Sequence, residues 1–128
     1  MQSGLNLHGP LYSKVLRRVQ GARCTGHATS ITLIQQPVCF VKNVCPPMVY
    51  HVALLGEAEG DRRIFEHGPV RYDVARAVGD SDVLVALPSV RRTLDDIAAF
   101  EATLPTQYVI GVRDCRHHVL DLLDFLYY

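Results

Sequence analysis

Apolar and polar positions along the chain fall into short β-type runs over its first two thirds and into helical spacing near its end. Residues 28–35 (ATSITLIQ) and 38–44 (VCFVKNV), divided by Pro37, are rich in β-branched side chains and predict a pair of strands, the second stopped by Pro46-Pro47. Residues 48–55 (MVYHVALL) give the strongest strand signal. A polar turn over 56–61 follows, and residues 62–67 (RRIFEH) return from it to close at Gly68-Pro69, which predicts a hairpin. A further short strand is predicted over Val83–Leu87, ended by Pro88. Leu11–Gln20 fits either a short helix or a strand: its apolar positions 11, 15, 16 and 19 lie at helical spacing, but the segment is short and ends at Gly21.

The helical signals are sharper. Thr93 stands as an N-cap with Asp96 at the third helical position, ahead of Leu94, Ile97, Ala98 and Phe100, so Thr93–Leu104 predicts a helix stopped by Pro105. Gln107–Val112 (QYVIGV) predicts a strand. In Asp114–Tyr127 the residues Val119, Leu122, Leu123 and Leu126 recur at three-and-four spacing, the mark of a helix with one buried face. Strands, a helix, a strand and a closing helix define an α+β class, an antiparallel sheet with helices packed on it.

A length of 128 residues, 48% of them apolar, suits a single domain with its own core. Its apolar runs fall well short of the ~20 residues that span a bilayer, so no transmembrane segment is expected. Cys24, Cys39, Cys45 and Cys115 form no CxxC pair, which speaks against a zinc site or a disulfide framework and for free thiols in a reducing, cytoplasmic setting. The net charge of zero hides an asymmetry. Residues 1–56 carry Lys14, Arg17, Arg18, Arg23 and Lys42 with no acid, hence +5; residues 57–128 carry eight basic and thirteen acidic side chains, hence −5. Three readings of the basic half stay open: a targeting presequence, a patch for RNA or anionic lipid along residues 14–42, and a surface compensated from the acidic half. The chain thus divides into a basic N-terminal part, 1–47, and a core with the chemical motifs, 48–128.

The sharpest chemical signal is Arg113-Asp114-Cys115-Arg116-His117-His118-Val119, where the last predicted strand meets the last predicted helix. With Asp114 as N-cap, Cys115 is the first helical residue, where unpaired backbone N–H groups and the helix dipole favour a thiolate. Positions 115, 119, 122 and 126 share a face, which turns the thiol toward the sheet. A cysteine nucleophile needs a base, and the hairpin offers two histidines. If the strands pair symmetrically about residue 59, with 57–61 as a five-residue loop, Leu55 faces Arg63, Ala53 faces Phe65 and His51 faces His67. One imidazole then takes the thiol proton while the other orients it. A slip of one residue would send one imidazole to the opposite face.

Tyr50-His51-Val52-Ala53-Leu54-Leu55-Gly56, Phe65-Glu66-His67-Gly68-Pro69 and Asp114-Cys115-Arg116-His117-His118-Val119 resemble, in that order, the H-box and NC motifs of the lecithin:retinol acyltransferase-like proteins. That family is a circularly permuted branch of the NlpC-type papain-like fold. It includes the HRAS-like suppressor phospholipase/acyltransferases, plant NC proteins and the H-box/NC type of picornavirus 2A protein. The resemblance spans residues 49–128 and implies a permuted papain-like core with His51 as general base, His67 as the orienting third group and Cys115 as nucleophile, with no cofactor or metal. His117 matches the motif's histidine after Cys-x. Where the family usually has Asn before the cysteine, this chain has Asp114, whose charge opposes thiolate formation against the help of Arg113, Arg116 and the helix dipole. A compact chain without a hydrophobic C-terminal anchor lies nearer the viral 2A type than the cellular lipid enzymes.

Two functions follow. In the first, Cys115 attacks an acyl or lipid ester as a thiol acyltransferase or hydrolase, viral or, alternatively, cellular or plant. In the second, the fold acts without catalysis in viral RNA replication in the host cytoplasm, through replication proteins or through RNA on residues 14–42. A third reading gathers His51, His67, Cys115 and His117 around a zinc ion.

Overall fold

Two turns, one between strands and one at a helix start, set the geometry that matters. The computed structural model describes residues 11–38, 50–75, 78–79 and 82–128. Its elements are α1 (Leu11–Gln20), β1 (Thr29–Pro37), β2 (Tyr50–Ala58), β3 (Asp61–Phe65), β4 (Val83–Val90), α2 (Leu94–Glu101) and α3 (Cys115–Tyr127). The strands form one antiparallel sheet in the order β3-β2-β1-β4. Val52 and Leu54 of β2, Ile31 and Leu33 of β1, Phe65 of β3 and Val83, Val85 and Leu87 of β4 supply one face of the core. Leu11 and Val15 of α1, Leu94 and Ile97 of α2 and Val119, Leu122, Leu123 and Leu126 of α3 pack on it. This is an α+β fold. The ambiguous segment 11–20 is a helix, its buried Leu11 and Val15 one turn apart and Arg17 and Arg18 in the last turn, where cations suit the helix dipole.

Thr93 caps α2 as expected: its hydroxyl accepts from Asp96 N–H at 3.1 Å and the Asp96 carboxylate accepts from Thr93 N–H at 3.2 Å. Asp114 caps α3 in the same manner, with Cys115 as its first residue.

Three predicted elements differ. β4 runs through Pro88 to Val90, because β4 is an edge strand on which a missing N–H leaves no ladder bond unmade, and its register shifts between Ile31 and Thr29 beside that proline. Residues 107–112 form no strand. They make an isolated bridge, Val109 with Arg113, around Gly111 at φ +82°, and leave Ile110 and Val112 exposed. The predicted strand over 38–44 lies outside the described residues apart from Val38, which is not in a strand.

The hairpin turn, the last of the three that differ, has the largest consequence. The β2–β3 connection is a two-residue turn, with Ala58 paired to Asp61 and with Glu59 and Gly60 at φ 51° and 80°, the values of a type I′ turn. Leu54 therefore faces Phe65 and Leu55 faces Ile64, one residue away from the register of a five-residue loop centred on residue 59. Glu59 occupies a left-handed conformation that Asn adopts at lower cost. Glu59→Asn is expected to raise the unfolding free energy by roughly 0.5 kcal/mol in chemical denaturation, with the pairing of β2 and β3 unchanged.

Candidate active site

The sulfur of Cys115 sits where the β2–β3 ladder runs out. β3 ends at Phe65, opposite Leu54, so β2 continues toward Tyr50 without a β3 partner. Tyr50 C=O and Val52 N–H are two residues apart and point to the same edge of the strand. The start of α3 fills that place: Cys115 Sγ lies 3.9 Å from Tyr50 O and accepts a hydrogen bond from Val52 N–H. Cys115 is buried, and it opens a helix of 13 residues whose free backbone N–H groups favour negative charge at that end.

His51 reaches the same sulfur. Its Nε2 donates to Glu66 Oε1 at 2.7 Å, and its side chain also hydrogen-bonds Cys115. The imidazole and the Glu66 carboxylate are 4% and 7% exposed, so both are held out of water and depend on each other. Glu66 Oε1 accepts a second bond, from Tyr72 N–H at 2.8 Å. Burial opposes a charge on either member of the Cys115–His51 pair, and their mutual attraction overcomes it. Burial lowers the pKa of His51, but the bonds to Cys115 and Glu66 outweigh that effect and raise it to about 9. Burial pushes the Cys115 thiol up, but His51 and the Val52 N–H outweigh it and hold the thiol below its ordinary value. Both shifts favour a thiolate–imidazolium pair, backed by the Glu66 carboxylate.

His67 is not the third member. The one-residue change in register turns Glu66 onto the face of the sheet that carries His51, and turns His67 onto the face that carries Val52 and Leu54. There the His67 ring stacks on His118 of α3, with centroids 5.1 Å apart and planes inclined by 17°, and its Nε2–H donates to Gln107 O at 3.2 Å. His118 Nε2 in turn donates to Glu101 Oε2 at 2.9 Å. His117 also stands apart from the sulfur, its Nδ1 being 2.9 Å from Asp114 Oδ1 as part of the helix cap. The four residues of a zinc reading are thus divided among separate hydrogen-bonded groups, and no three His, Cys, Asp or Glu side chains gather as a metal site among the described residues.

The Asp114 charge opposes the Cys115 thiolate, as expected, but strong donors around the carboxylate limit that effect. One oxygen accepts from Arg116 N–H at 3.1 Å, the other from Gly111 N–H at 2.9 Å and from the Arg116 guanidinium at 2.6 Å. Burial raises its pKa, yet Arg116, the Gly111 N–H and His117 outweigh burial and hold the carboxyl well below the usual carboxylate range. These donors offset its charge, and the upward push it gives the Cys115 thiol is smaller than the effects of burial, His51 and the Val52 N–H.

Tyr108 completes the constellation and no sequence pattern marked it. Its hydroxyl contacts both the Cys115 sulfur and the Cys115 backbone N–H. Burial, the Cys115 charge and the Asp114 charge all push its phenol above the ordinary value. Beyond it, Val109, Ile110 and Val112 form an exposed apolar turn between the tyrosine and the nucleophile.

Cys24 and Cys115 are free thiols, while Cys39 and Cys45 lie outside the described residues. Arg18 is paired with Asp124 of α3 at 2.7 Å, so part of the basic N-terminal charge is compensated from the acidic half. No helix among the described residues is long and apolar enough to cross a membrane. Against protein-family models, curated proteins and solved structures alike, the chain finds no match.

The ion pair makes the alkylation of Cys115 by iodoacetamide a direct probe. Below the ordinary thiol pKa the native protein is expected to react faster than its His51→Gln variant, because a larger share of Cys115 is thiolate there. His51→Gln removes the imidazolium and leaves burial in place, so the thiol pKa moves up and the rate at about pH 6 falls roughly tenfold for each unit of that shift. Glu66→Gln is expected to move the profile in the same direction by a smaller amount.

Proposed function

We propose that this chain is a cysteine-dependent acyl hydrolase or acyltransferase of the H-box/NC, permuted papain-like type, with Cys115 as nucleophile, His51 as acid–base and Glu66 as the group that orients and charges His51. The observation that carries this reading is the buried line Glu66–His51–Cys115 at the start of α3, with Glu66 Oε1 2.7 Å from His51 Nε2. The motif resemblance of residues 50–56, 65–69 and 114–119 supports it, with Glu66 taking the orienting role in place of His67.

The thiolate attacks the carbonyl carbon of an ester or amide, and a C–S bond forms as the carbonyl π electrons move to oxygen. Cys115 N–H and the Tyr108 hydroxyl converge beside the sulfur and are placed to donate to that oxyanion. Collapse breaks the bond to the leaving alcohol or amine, which takes its proton from His51. Neutral His51 then draws a proton from water or from an acceptor alcohol or amine that attacks the thioester, and Cys115 leaves as thiolate with His51 protonated again. Glu66 keeps Nε2 occupied throughout, so that Nδ1 is the nitrogen left to face the reaction. The exposed apolar turn at Val109, Ile110 and Val112 suits a substrate with a hydrophobic acyl group. The non-catalytic, RNA-directed reading draws less support, since Arg18 is already paired with Asp124.

The test is turnover of an activated acyl ester such as a p-nitrophenyl ester. Cys115→Ala should abolish it. Glu66→Gln should lower kcat by about two to four orders of magnitude. kcat/KM should rise with pH through the depressed thiol pKa, because the nucleophile is the thiolate, and fall again near pH 9 as His51 loses the proton it gives the leaving group. Absence of both turnover and a Cys115 acyl adduct in the native protein would overturn the proposal.

A further inference from the structure

The geometry of the thiol, imidazole and carboxylate leaves His67 without a part in the chemistry, yet it is buried and in contact with Gln107, Tyr108 and His118. We propose that His67 and Gly68 form a seat for Tyr108 that holds its hydroxyl at the Cys115 sulfur and backbone N–H, which makes His67 a positioning residue. The inference rests on the reading of Cys115 as an acyl-transfer nucleophile, and it assigns the control of oxyanion stabilisation to a pair of residues that touch no reacting atom.

Three observations converge on this seat. Tyr108 follows Pro105-Thr106-Gln107 in a segment with no sheet or helix hydrogen bonds of its own until the bridge at Val109, so its position has to come from side-chain contacts. His67 provides two of them: its Nε2–H holds the Gln107 carbonyl at 3.2 Å, and its ring meets the Tyr108 ring at 5.3 Å with planes tilted by 40°. The His67 ring also stacks on His118 of α3, which is bonded in turn to Glu101 of α2, so the seat is tied to the same helix that begins with Cys115. Gly68 supplies the third. It adopts φ +123°, and a Cβ at this position would lie 2.6 Å from Tyr108 Cε2 and 3.0 Å from Cδ2. The tyrosine ring lies directly against the glycine backbone, an approach that no other residue permits.

A residue of this kind should influence the step that develops oxyanion charge and leave thiolate formation alone, since Glu66 and not His67 partners His51. The experiment uses the full chain with His67→Gln, Gly68→Ala and Tyr108→Phe, singly and with each of the first two combined with the third. His67→Gln keeps an N–H donor for Gln107 O but loses the ring contacts. Expected are a fall in kcat on the acyl ester of at least about tenfold for each single variant, and no further loss when either is added to Tyr108→Phe, because the seat acts only through the tyrosine. The pH profile of Cys115 alkylation should match that of the native protein, which also shows that the site is folded. Independently of turnover, ultraviolet titration of the Tyr108 phenol, taken as the difference from Tyr108→Phe, should fall back toward the ordinary tyrosine value in Gly68→Ala as the ring leaves the thiolate. Additive losses in the double variants, an alkylation profile displaced by His67→Gln, or an unchanged Tyr108 titration in Gly68→Ala would each overturn the inference. If the native protein turns over no ester, the acyl-transfer reading fails, while the titration still decides whether the seat exists.

Discussion

The register of the β2–β3 hairpin decides which side chains meet the sulfur of Cys115. Side chains alternate along a strand, so a displacement of one residue exchanges the two faces of everything that follows. Glu59 and Gly60 close the hairpin in two residues, and from that turn the pairing runs Ala58 with Asp61, Leu55 with Ile64 and Leu54 with Phe65. Phe65 is thereby placed in the core, Glu66 emerges beside His51, and His67 is carried under α3 to His118. The early end of β3 is equally consequential. It leaves Tyr50 C=O and Val52 N–H at an open edge that the first residue of α3 occupies.

Around that edge the electrostatics follow one rule: each buried charge is matched. An isolated thiolate or imidazolium at this depth would simply be neutralised by a shift in pKa. Each is retained here because the other is present, and Glu66 makes the imidazolium the favoured form by accepting its Nε2 proton. Asp114 is treated in the same way, by an N-terminal cap, a glycine N–H and a guanidinium. An aspartate fills the capping role of an asparagine at this position, since both offer an oxygen to the first N–H groups of the helix. The positive charge of Arg116 offsets the Asp114 charge, which by itself pushes the Cys115 thiol up.

Local signals were legible where they depend on near neighbours. Thr93 and Asp96 mark the start of α2, Asp114 marks the start of α3, and the spacing of Val119, Leu122, Leu123 and Leu126 marks its buried face. His51 and Cys115 were picked out because a strand histidine and a helix-start cysteine are chemically suggestive, and the structure brings them together. What could not be read with the same certainty depends on turns. Glu59-Gly60 has the glycine that a type I′ turn needs but lacks the Asn or Asp that usually precedes it, so a longer loop was an equally fair expectation, and with it the choice of His67 over Glu66. Residues 107–112 are rich in β-forming side chains, but they pair with no described strand, and the segment turns back on itself at Gly111. Tyr108 reaches the sulfur from that irregular segment, where sequence spacing carries no directional information.

The protonation state of His51 measures the central claim most directly. Side-chain nitrogen chemical shifts of His51, followed by NMR from about pH 5 to pH 10, report whether the ring carries one proton or two. An imidazolium that persists at neutral pH and titrates near pH 9, and that drops toward the ordinary histidine range in Cys115→Ala, is the expected result. A singly protonated His51 at pH 7 in the native protein would contradict the ion pair on which the proposed chemistry stands.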